Sequence, residues 1–191
     1  EGEGSLTIAD ADFYTSNGGY YSNHYDSALG NSDNLNSTYG IIINGGTIFA
    51  GTTAAENSSA IGAGGNGYGD VVINGGVVTA VASTTGTAIG GGIGFSDTGG
   101  QGYVEINGGN VYAYNHKHSS NIPSSAIGGA GSSAQAGSKG TVIITGGSVY
   151  AQSALGTAIG GGSSQTKQGG PGYVTITGGT VIAKSLSSIS A

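Results

Sequence analysis

The amino-acid sequence predicts an all-β protein, a right-handed parallel β-helix (solenoid) of about five to six three-stranded coils. One motif recurs at intervals of 30 to 38 residues, which is typical of a solenoid. Its apolar residues alternate with the period of two that β-strands have. The 191 residues include 42 glycines, which permit sharp turns but would each cost a helix about 1 kcal/mol. Right-handedness is expected because parallel strands are almost always joined by right-handed crossovers.

The central part of the repeat is a strand, a Gly-Gly corner and a second strand. The first strand reads apolar-x-apolar into Asn or Thr, and the second reads x-apolar-x-Ala. Five passages follow this pattern: IIINGGTIFA from Ile41, VVINGGVVTA from Val71, VEINGGNVYA from Val104, VIITGGSVYA from Val142 and VTITGGTVIA from Val174. Glycine permits a bend at the corner that residues with a side chain cannot adopt. The length of the repeat varies only in its loops.

A third strand is predicted for a short element that lies between successive Gly-Gly passages. It reads SALG at Ser27, SAIG at Ser59, TAIG at Thr87, SAIG at Ser125 and TAIG at Thr157. One repeat then makes one coil of three strands, stacked about 4.8 Å from the next coil. Inward Val, Ile and Ala side chains would stack on their equivalents and form an apolar column that no single repeat could bury alone.

The chain is predicted to be a single β-helix domain, residues 1–191, with an irregular beginning. LTIADADFYT from Leu6 is a degenerate first copy of the repeat, in which Asp10 and Ala11 replace Gly-Gly. It predicts a first strand at residues 6–8 and places Phe13 on the second strand. Residues 1–39 are therefore assigned to a degenerate first coil and N-terminal cap, 40–184 to the regular Gly-Gly repeats and 185–191 to a C-terminal tail.

Polar residues occupy the corner position directly before each Gly-Gly pair. They are Asn44, Asn74, Asn107, Thr145 and Thr177. Stacked Asn side chains can hydrogen-bond along a solenoid as a ladder. We therefore interpret this row as structural rather than as a ligand site.

Charge and composition restrict the classes of partner. The net charge is −6, with four basic residues, all lysine. Nucleic-acid binding requires several Lys or Arg residues on phosphates, and acidic membrane surfaces are disfavoured by the same argument. We therefore expect no nucleic-acid partner and no membrane partner. The chain has no cysteine for a disulfide framework or a thiolate metal site, and its Ser, Thr, Asn and Gly content favours a secreted, extracellular setting.

The motif x-V-x-I-N/T-G-G-x-V-x-A … A-I-G-G-G resembles β-helical repeats in secreted proteins of anaerobic, fibre-degrading bacteria. More narrowly, it is similar to β-helical carbohydrate-binding modules attached to plant cell-wall hydrolases such as xylanases, from about Gly4 to Lys184. The resemblance implies a non-catalytic module, without a cofactor, that holds a secreted enzyme on plant cell-wall polysaccharide, xylan first. It also implies a catalytic domain in the same full-length polypeptide. Related repeats occur in surface adhesins, so a bacterial adhesin or stalk without its own glycan site is the alternative.

Tyrosines among Asn, Ser and His residues are the candidate sugar contacts. Sugar rings stack on aromatic rings, and sugar hydroxyls bond to polar side chains. An outward column on the second strands is predicted to contain Tyr14, Phe49, Thr79, Tyr112, Tyr150 and Ile182. Enlarged loops follow second strands at Asn17–Ser27 and Tyr114–Asn121. The predicted ligand-binding residues are Tyr20, Tyr21, His24, Tyr25, Tyr112, Tyr114, Asn115, His116 and Tyr150. The alternatives are an aromatic ladder that stabilises the sheet, an N-terminal cap and a tolerated insertion.

Two further tyrosines lie at the start of first strands. Tyr103 and Tyr173 are two coils apart, about 9.6 Å along the axis. Alternate sugars of a β-1,4-linked chain recur at a similar distance. These residues are therefore either sugar contacts or exposed residues at strand starts.

Few residues of the sequence could serve as metal ligands. His116 and His118 form a His-x-His pattern to which His24 could be added. No cysteine or carboxylate cluster supports a metal site there, so surface histidines are the favoured interpretation. Calcium stays open, with sparse oxygen ligands at Asp10, Asp12, Asp26 and Asp33.

A glycosidase would need a pair of carboxylates on the surface. Asp70 and Glu105 are predicted to point outward on adjacent coils, roughly 8 Å apart, which suits an inverting glycosidase. No further charged groups cluster there to separate their pKa values, and lyase chemistry would want an arginine that the chain lacks. We therefore predict that the protein is not an enzyme. A β-helical pectin- or glycan-degrading enzyme is the remaining alternative.

Overall fold

The computed structural model describes residues 4–9, 27–31, 40–52, 58–82, 86–94, 98–116 and 122–186. These ranges contain strands and no helix, and hence no helix that could span a bilayer. In chain order the strands are β1 (Ser5–Ala9), β2 (Leu29–Asn31), β3 (Ile41–Ile43), β4 (Thr47–Thr52), β5 (Ile61–Ala63), β6 (Gly69–Ile73), β7 (Val77–Ala82), β8 (Ile89–Gly90), β9 (Gly102–Ile106), β10 (Asn110–Asn115), β11 (Ile127–Gly128), β12 (Gly140–Ile144), β13 (Ser148–Ser153), β14 (Ile159–Gly160), β15 (Gly172–Ile176) and β16 (Thr180–Ser185).

The strands form three parallel sheets, one for each strand of the repeat. The first-strand sheet has the order β3-β6-β9-β12-β15, the second-strand sheet β1-β4-β7-β10-β13-β16 and the third-strand sheet β2-β5-β8-β11-β14. Equivalent residues of successive coils pair directly, so Val104 pairs with Val71 on one side and Val142 on the other. The chain is therefore a right-handed parallel β-helix of three-stranded coils, which confirms the predicted fold class.

Glycine sets the corner between the first and second strands. The second glycine of each Gly-Gly pair has a φ between +81° and +91°, a left-handed conformation that favours glycine over residues with a Cβ. These glycines are Gly46, Gly76, Gly109, Gly147 and Gly179. The predicted corner is confirmed in all five regular repeats.

Inward side chains form one apolar column that runs from coil to coil. In the middle coils the predicted inward residues are buried, as Ile73, Val104 and Ile144 illustrate. In the last coil the equivalent Val174 and Ile176 are 44% and 52% exposed, because β15 is the edge strand of its sheet. Stacking between coils, rather than packing within one coil, therefore buries the core.

The degenerate first copy of the repeat begins with a second strand, not with a first strand as predicted. β1 pairs with β4, with Leu6 opposite Ile48 and Thr7 opposite Phe49, so it is a second strand. The prediction that residues 6–8 form a first strand is wrong. Without a Gly-Gly pair after it, an alternating apolar segment fits the first and second strands equally well, and only pairing decides between them. Phe13 and Tyr14 lie outside the described residues.

The predicted asparagine ladder is present at the Gly-Gly corner. The Asn74 side-chain amide donates to the Asn44 Oδ1 at 2.8 Å, and the Asn107 amide donates to the Asn74 Oδ1 at 3.0 Å. The Thr145 hydroxyl extends the ladder by donating to the Asn107 Oδ1 at 2.6 Å. These exposed hydrogen bonds link four successive coils along one edge of the rod.

Candidate functional site

The outer face of the second-strand sheet carries two parallel rows of side chains. In one row, Tyr112 of β10 lies directly opposite Tyr150 of β13, as predicted. In the next row, two residues further along each strand, Tyr114 lies opposite Gln152, which in turn lies opposite Lys184. Because side chains on one face of a strand recur every second residue, both rows point away from the core.

Aromatic rings of these rows contact each other to form a cluster. The centroids of Tyr114 and Tyr150 are 5.7 Å apart with the rings tilted by 43°. The His116 ring stacks on the Tyr114 ring, with an interplanar angle of 7° and centroids 6.2 Å apart. Tyr112, beside Tyr150 in the first row, is 39% exposed. We call Tyr112, Tyr114, His116 and Tyr150 the tyrosine platform.

Polar side chains border the platform and hold one of its rings. The Tyr150 hydroxyl donates to the Gln152 Oε1 at 2.8 Å, which leans the ring along the strand. The Lys184 Nζ lies 5.1 Å from the centroid of the same ring, a cation–π contact. The predicted residues Tyr112, Tyr114, Tyr150 and His116 are therefore brought together, and Gln152 and Lys184 join them.

Asn115 does not belong to this face. Its side chain is only 4% exposed and its amide donates to the Gly86 carbonyl, inside the coil. Asn115 follows Val111 and Ala113 on the inward side of β10, so the alternation that exposes Tyr114 buries Asn115. We therefore correct the predicted ligand set by removing Asn115. The predicted residues Tyr20, Tyr21, His24 and Tyr25, and the loop residues 117–121, lie outside the described residues.

The outer face of the first-strand sheet carries a second set of tyrosines. Tyr103 and Tyr173 both pair with Thr141, which lies between them in one column. Tyr173 is 58% exposed, and the Lys139 Nζ lies 5.2 Å from the centroid of its ring. The predicted separation of two coils is confirmed by this register.

Tyr103 is part of a hydrogen-bonded group on the same face. Its hydroxyl donates to the Glu105 Oε2 at 3.3 Å, and the Asn107 amide donates to the Glu105 Oε1 at 2.9 Å. Partial burial, then the charge of Glu105 and this hydrogen bond, raise the pKa of Tyr103 above its usual value. Burial, followed by the charge of Asp70, also raises the pKa of the nearby Tyr68. Both phenols are therefore neutral hydrogen-bond donors at physiological pH.

Asp70 and Glu105 lie diagonally on adjacent strands, as predicted. Asp70 pairs with Tyr103, and Val72 pairs with Glu105, so the carboxylates are one coil and two residues apart. Both oxygens of Glu105 accept hydrogen bonds from neighbouring side chains. In the described part of the chain no three His, Asp or Glu side chains come together as metal ligands. His24, His118, Asp10, Asp12, Asp26 and Asp33 lie outside that part.

Comparisons of the chain with protein-family models, curated proteins and solved structures found no match. The resemblance to β-helical carbohydrate-binding modules therefore stays a prediction, and the case for a function rests on the two tyrosine-bearing faces.

Proposed function

We propose that the protein is a non-catalytic carbohydrate-binding module that holds a secreted enzyme on plant cell-wall polysaccharide, with xylan as the first ligand to test. The tyrosine platform is the observation that carries this proposal. Its rings are clustered, outward and supported by a rigid parallel sheet, whereas tyrosines scattered over a surface would offer no common contact area. Pyranose rings present flat C–H faces that stack on such aromatic surfaces.

The polar side chains at the border of the platform suit sugar hydroxyls. Gln152 offers an amide and His116 offers an imidazole, both of which form hydrogen bonds with hydroxyl groups. Neither side chain has to be uncovered by a conformational change, because Gln152 lies on the outward face of β13 and His116, directly after β10, is exposed. A glycan would therefore meet a largely preformed site.

Local charge supports a xylan that bears acidic side groups. The net charge of the chain is −6, yet the second strands contain no Asp or Glu, and Lys184 lies beside the platform. A uronic acid substituent would therefore meet a cation there rather than a carboxylate. Neutral xylan would use the rings and the polar side chains at their border, without this ion pair.

Affinity electrophoresis tests this proposal on the purified chain. Gels containing xylan, glucomannan, soluble cellulose derivative or pectin are compared with a gel without polysaccharide. We expect retardation in xylan, and Tyr114→Ala and Tyr150→Ala should each weaken it on the order of ten-fold, because each removes a stacking ring. Ile42→Ala is the matched control, since Ile42 is 65% exposed on a different sheet.

Retardation in none of the four gels would overturn the proposal and favour the stalk or adhesin alternative. Equal weakening by Ile42→Ala would show that the platform is not the site. Release of reducing sugar from any of the polysaccharides would show catalysis instead of passive binding.

A further inference from the structure

We propose that the outer face of the first-strand sheet is a second glycan-binding face, which takes an extended β-1,4-linked glucan or mannan chain lying along the axis of the rod. Tyr103 and Tyr173 are its stacking residues. This inference goes beyond the tyrosine platform, because it rests on a different sheet, different residues and a different class of polysaccharide.

The spacing of the two tyrosines is set by the backbone. Tyr103 and Tyr173 occupy one column with Thr141 between them, so their separation is two strand spacings, about 9.6 Å. In a two-fold β-1,4-linked chain every second sugar presents the same ring face, and this repeat has nearly the same length. Two alternate sugars can therefore stack on the two tyrosines while the sugar between them passes over the smaller Thr141.

The orientation of the two rings is held by neighbouring side chains. The hydrogen bond from the Tyr103 hydroxyl to Glu105, two residues further along β9, leans that ring along the strand. Tyr173 is oriented by the Lys139 ammonium group over its ring. Rings that are already oriented lose less conformational entropy when a ligand stacks on them.

Hydrogen-bonding groups run parallel to the tyrosine column. Glu105 and Thr175 lie two residues further along the strands, roughly 6.6 Å from the column. The asparagine ladder forms the next polar row, at the corner. Ile143 lies between Glu105 and Thr175 in their row, so a chain aligned with the axis would meet a hydrogen-bonding group of that row at alternate coils and the corner row at every coil. A chain lying across the sheet would meet each row only once.

Xylan fits this column less well than glucan or mannan. A xylan chain adopts a three-fold twist, so the same face of its sugars recurs at every third residue rather than every second. It could stack on Tyr103 or on Tyr173 but not on both at once. The two faces of the rod are therefore expected to differ in specificity, with xylan on the platform and two-fold chains on the first-strand sheet.

A spacing swap tests the proposal. Thr141→Tyr combined with Tyr173→Thr keeps the number of tyrosines in the column but reduces their separation from two coils to one. We measure depletion of the protein from solution by insoluble cellulose and by insoluble mannan. The double variant Tyr103→Ala with Tyr173→Ala, and the spacing swap, should each lower binding at least ten-fold. Phe49→Ala, which removes an exposed ring from the second-strand sheet, is the matched control and should bind within about two-fold of the wild type.

Retardation by xylan separates this proposal from the function proposed above. If the first-strand variants lose cellulose and mannan binding but keep xylan retardation, the two faces are independent sites. If the spacing swap binds cellulose and mannan as well as the wild type, the match to a two-fold chain is refuted. If the wild type binds neither solid, the second face is refuted whatever the xylan gels show. Circular dichroism confirms that each variant is folded.

Discussion

Glycines of the third strands show how little room a single residue has in this solenoid. Gly30, Gly62, Gly90, Gly128 and Gly160 have φ values between +126° and +145°. At four of them an added Cβ would lie far inside van der Waals contact of the carbonyl oxygen of the equivalent glycine in the next coil. At Gly160 the nearest atoms are an ordinary 3.8 and 3.9 Å away. Substitutions at Gly160 and at the other four glycines can therefore separate the destabilisation due to backbone strain from that due to crowding between coils.

Gly128→Ala should destabilise the protein much more than Gly160→Ala. Both substitutions place a Cβ on a residue with positive φ, which costs about 1–3 kcal/mol. Only Gly128→Ala also pushes a methyl group against the backbone of the next coil. Urea unfolding followed by circular dichroism measures both free energies of unfolding. Equal losses for the two variants would show that crowding between coils contributes nothing.

The outward residues of the platform were only partly predictable from the sequence. The alternation that places Tyr112 and Tyr150 outward also places Tyr114, Gln152 and Lys184 outward, and it places Asn115 inward. Extending the alternation by two residues beyond the Ala of the motif was therefore sufficient to exclude Asn115. The diagonal contact of Tyr114 with Tyr150 depends on side-chain rotamers, which the sequence pattern does not encode.

At the scale of the element, the third strand is closed by the Ser or Thr that lies two residues before it. The Ser or Thr hydroxyl of the Ser/Thr-Ala-Ile-Gly element donates to the carbonyl oxygen four residues later. This bond is 2.9 Å at Ser59, 2.8 Å at Thr87, 2.6 Å at Ser125 and 2.7 Å at Thr157. The Ala63 carbonyl also accepts from the Ser59 backbone N–H. At Gly91, Gly129 and Gly161 the hydroxyl satisfies a buried carbonyl group that the backbone leaves without a donor.

Ser125→Ala should lower the free energy of unfolding by about 1–3 kcal/mol, because it leaves the buried Gly129 carbonyl without this donor. Ser125→Thr is the matched control, since Thr87 makes the same bond in a fully buried position. It should change the stability by less than about 1 kcal/mol. Urea unfolding measures both variants, and a neutral Ser125→Ala would contradict this role of the hydroxyl.

The regular elements were predictable from the sequence, and the irregular ones were not. The Gly-Gly passages and the Ala-Ile elements identified the three strands of each repeat because a period of two and a fixed corner allow one arrangement. β1 was assigned to the wrong sheet because its corner residues are missing. The variable loops contain no motif, yet Ser132 bridges Gly94 and Ser164 in the loops of the neighbouring coils. This stacking follows from the register of the strands on either side.

For the whole molecule, the position of a coil along the rod determines the energetic value of its side chains. Ile144 and Ile176 occupy the same inward position of adjacent coils and pair directly. Ile144 is fully buried, whereas Ile176 is 52% exposed. The same residue type in the same strand position therefore removes very different amounts of apolar surface from water.

Ile144→Ala should cost about 2–5 kcal/mol of unfolding free energy, as is usual for a buried isoleucine. Ile176→Ala should cost about 1 kcal/mol, because its side chain is half in solvent already. Hydrogen exchange monitored in peptides from β12 and β15 locates each loss along the rod. A similar cost for both substitutions would indicate that β15 is covered in solution.

The parallel register of the sheets has a consequence for how binding specificity can change. Hydrogen bonds between backbones, and not the outward side chains, fix the distance from one coil to the next. Substitutions on a face therefore cannot adjust that distance gradually; they can only move an aromatic ring to another coil. The coil spacing is therefore fixed, and under the proposed function a change of polysaccharide would require moving rings by whole coils. Duplicating or deleting a repeat would likewise change the number of coils and leave the distance between coils unaltered.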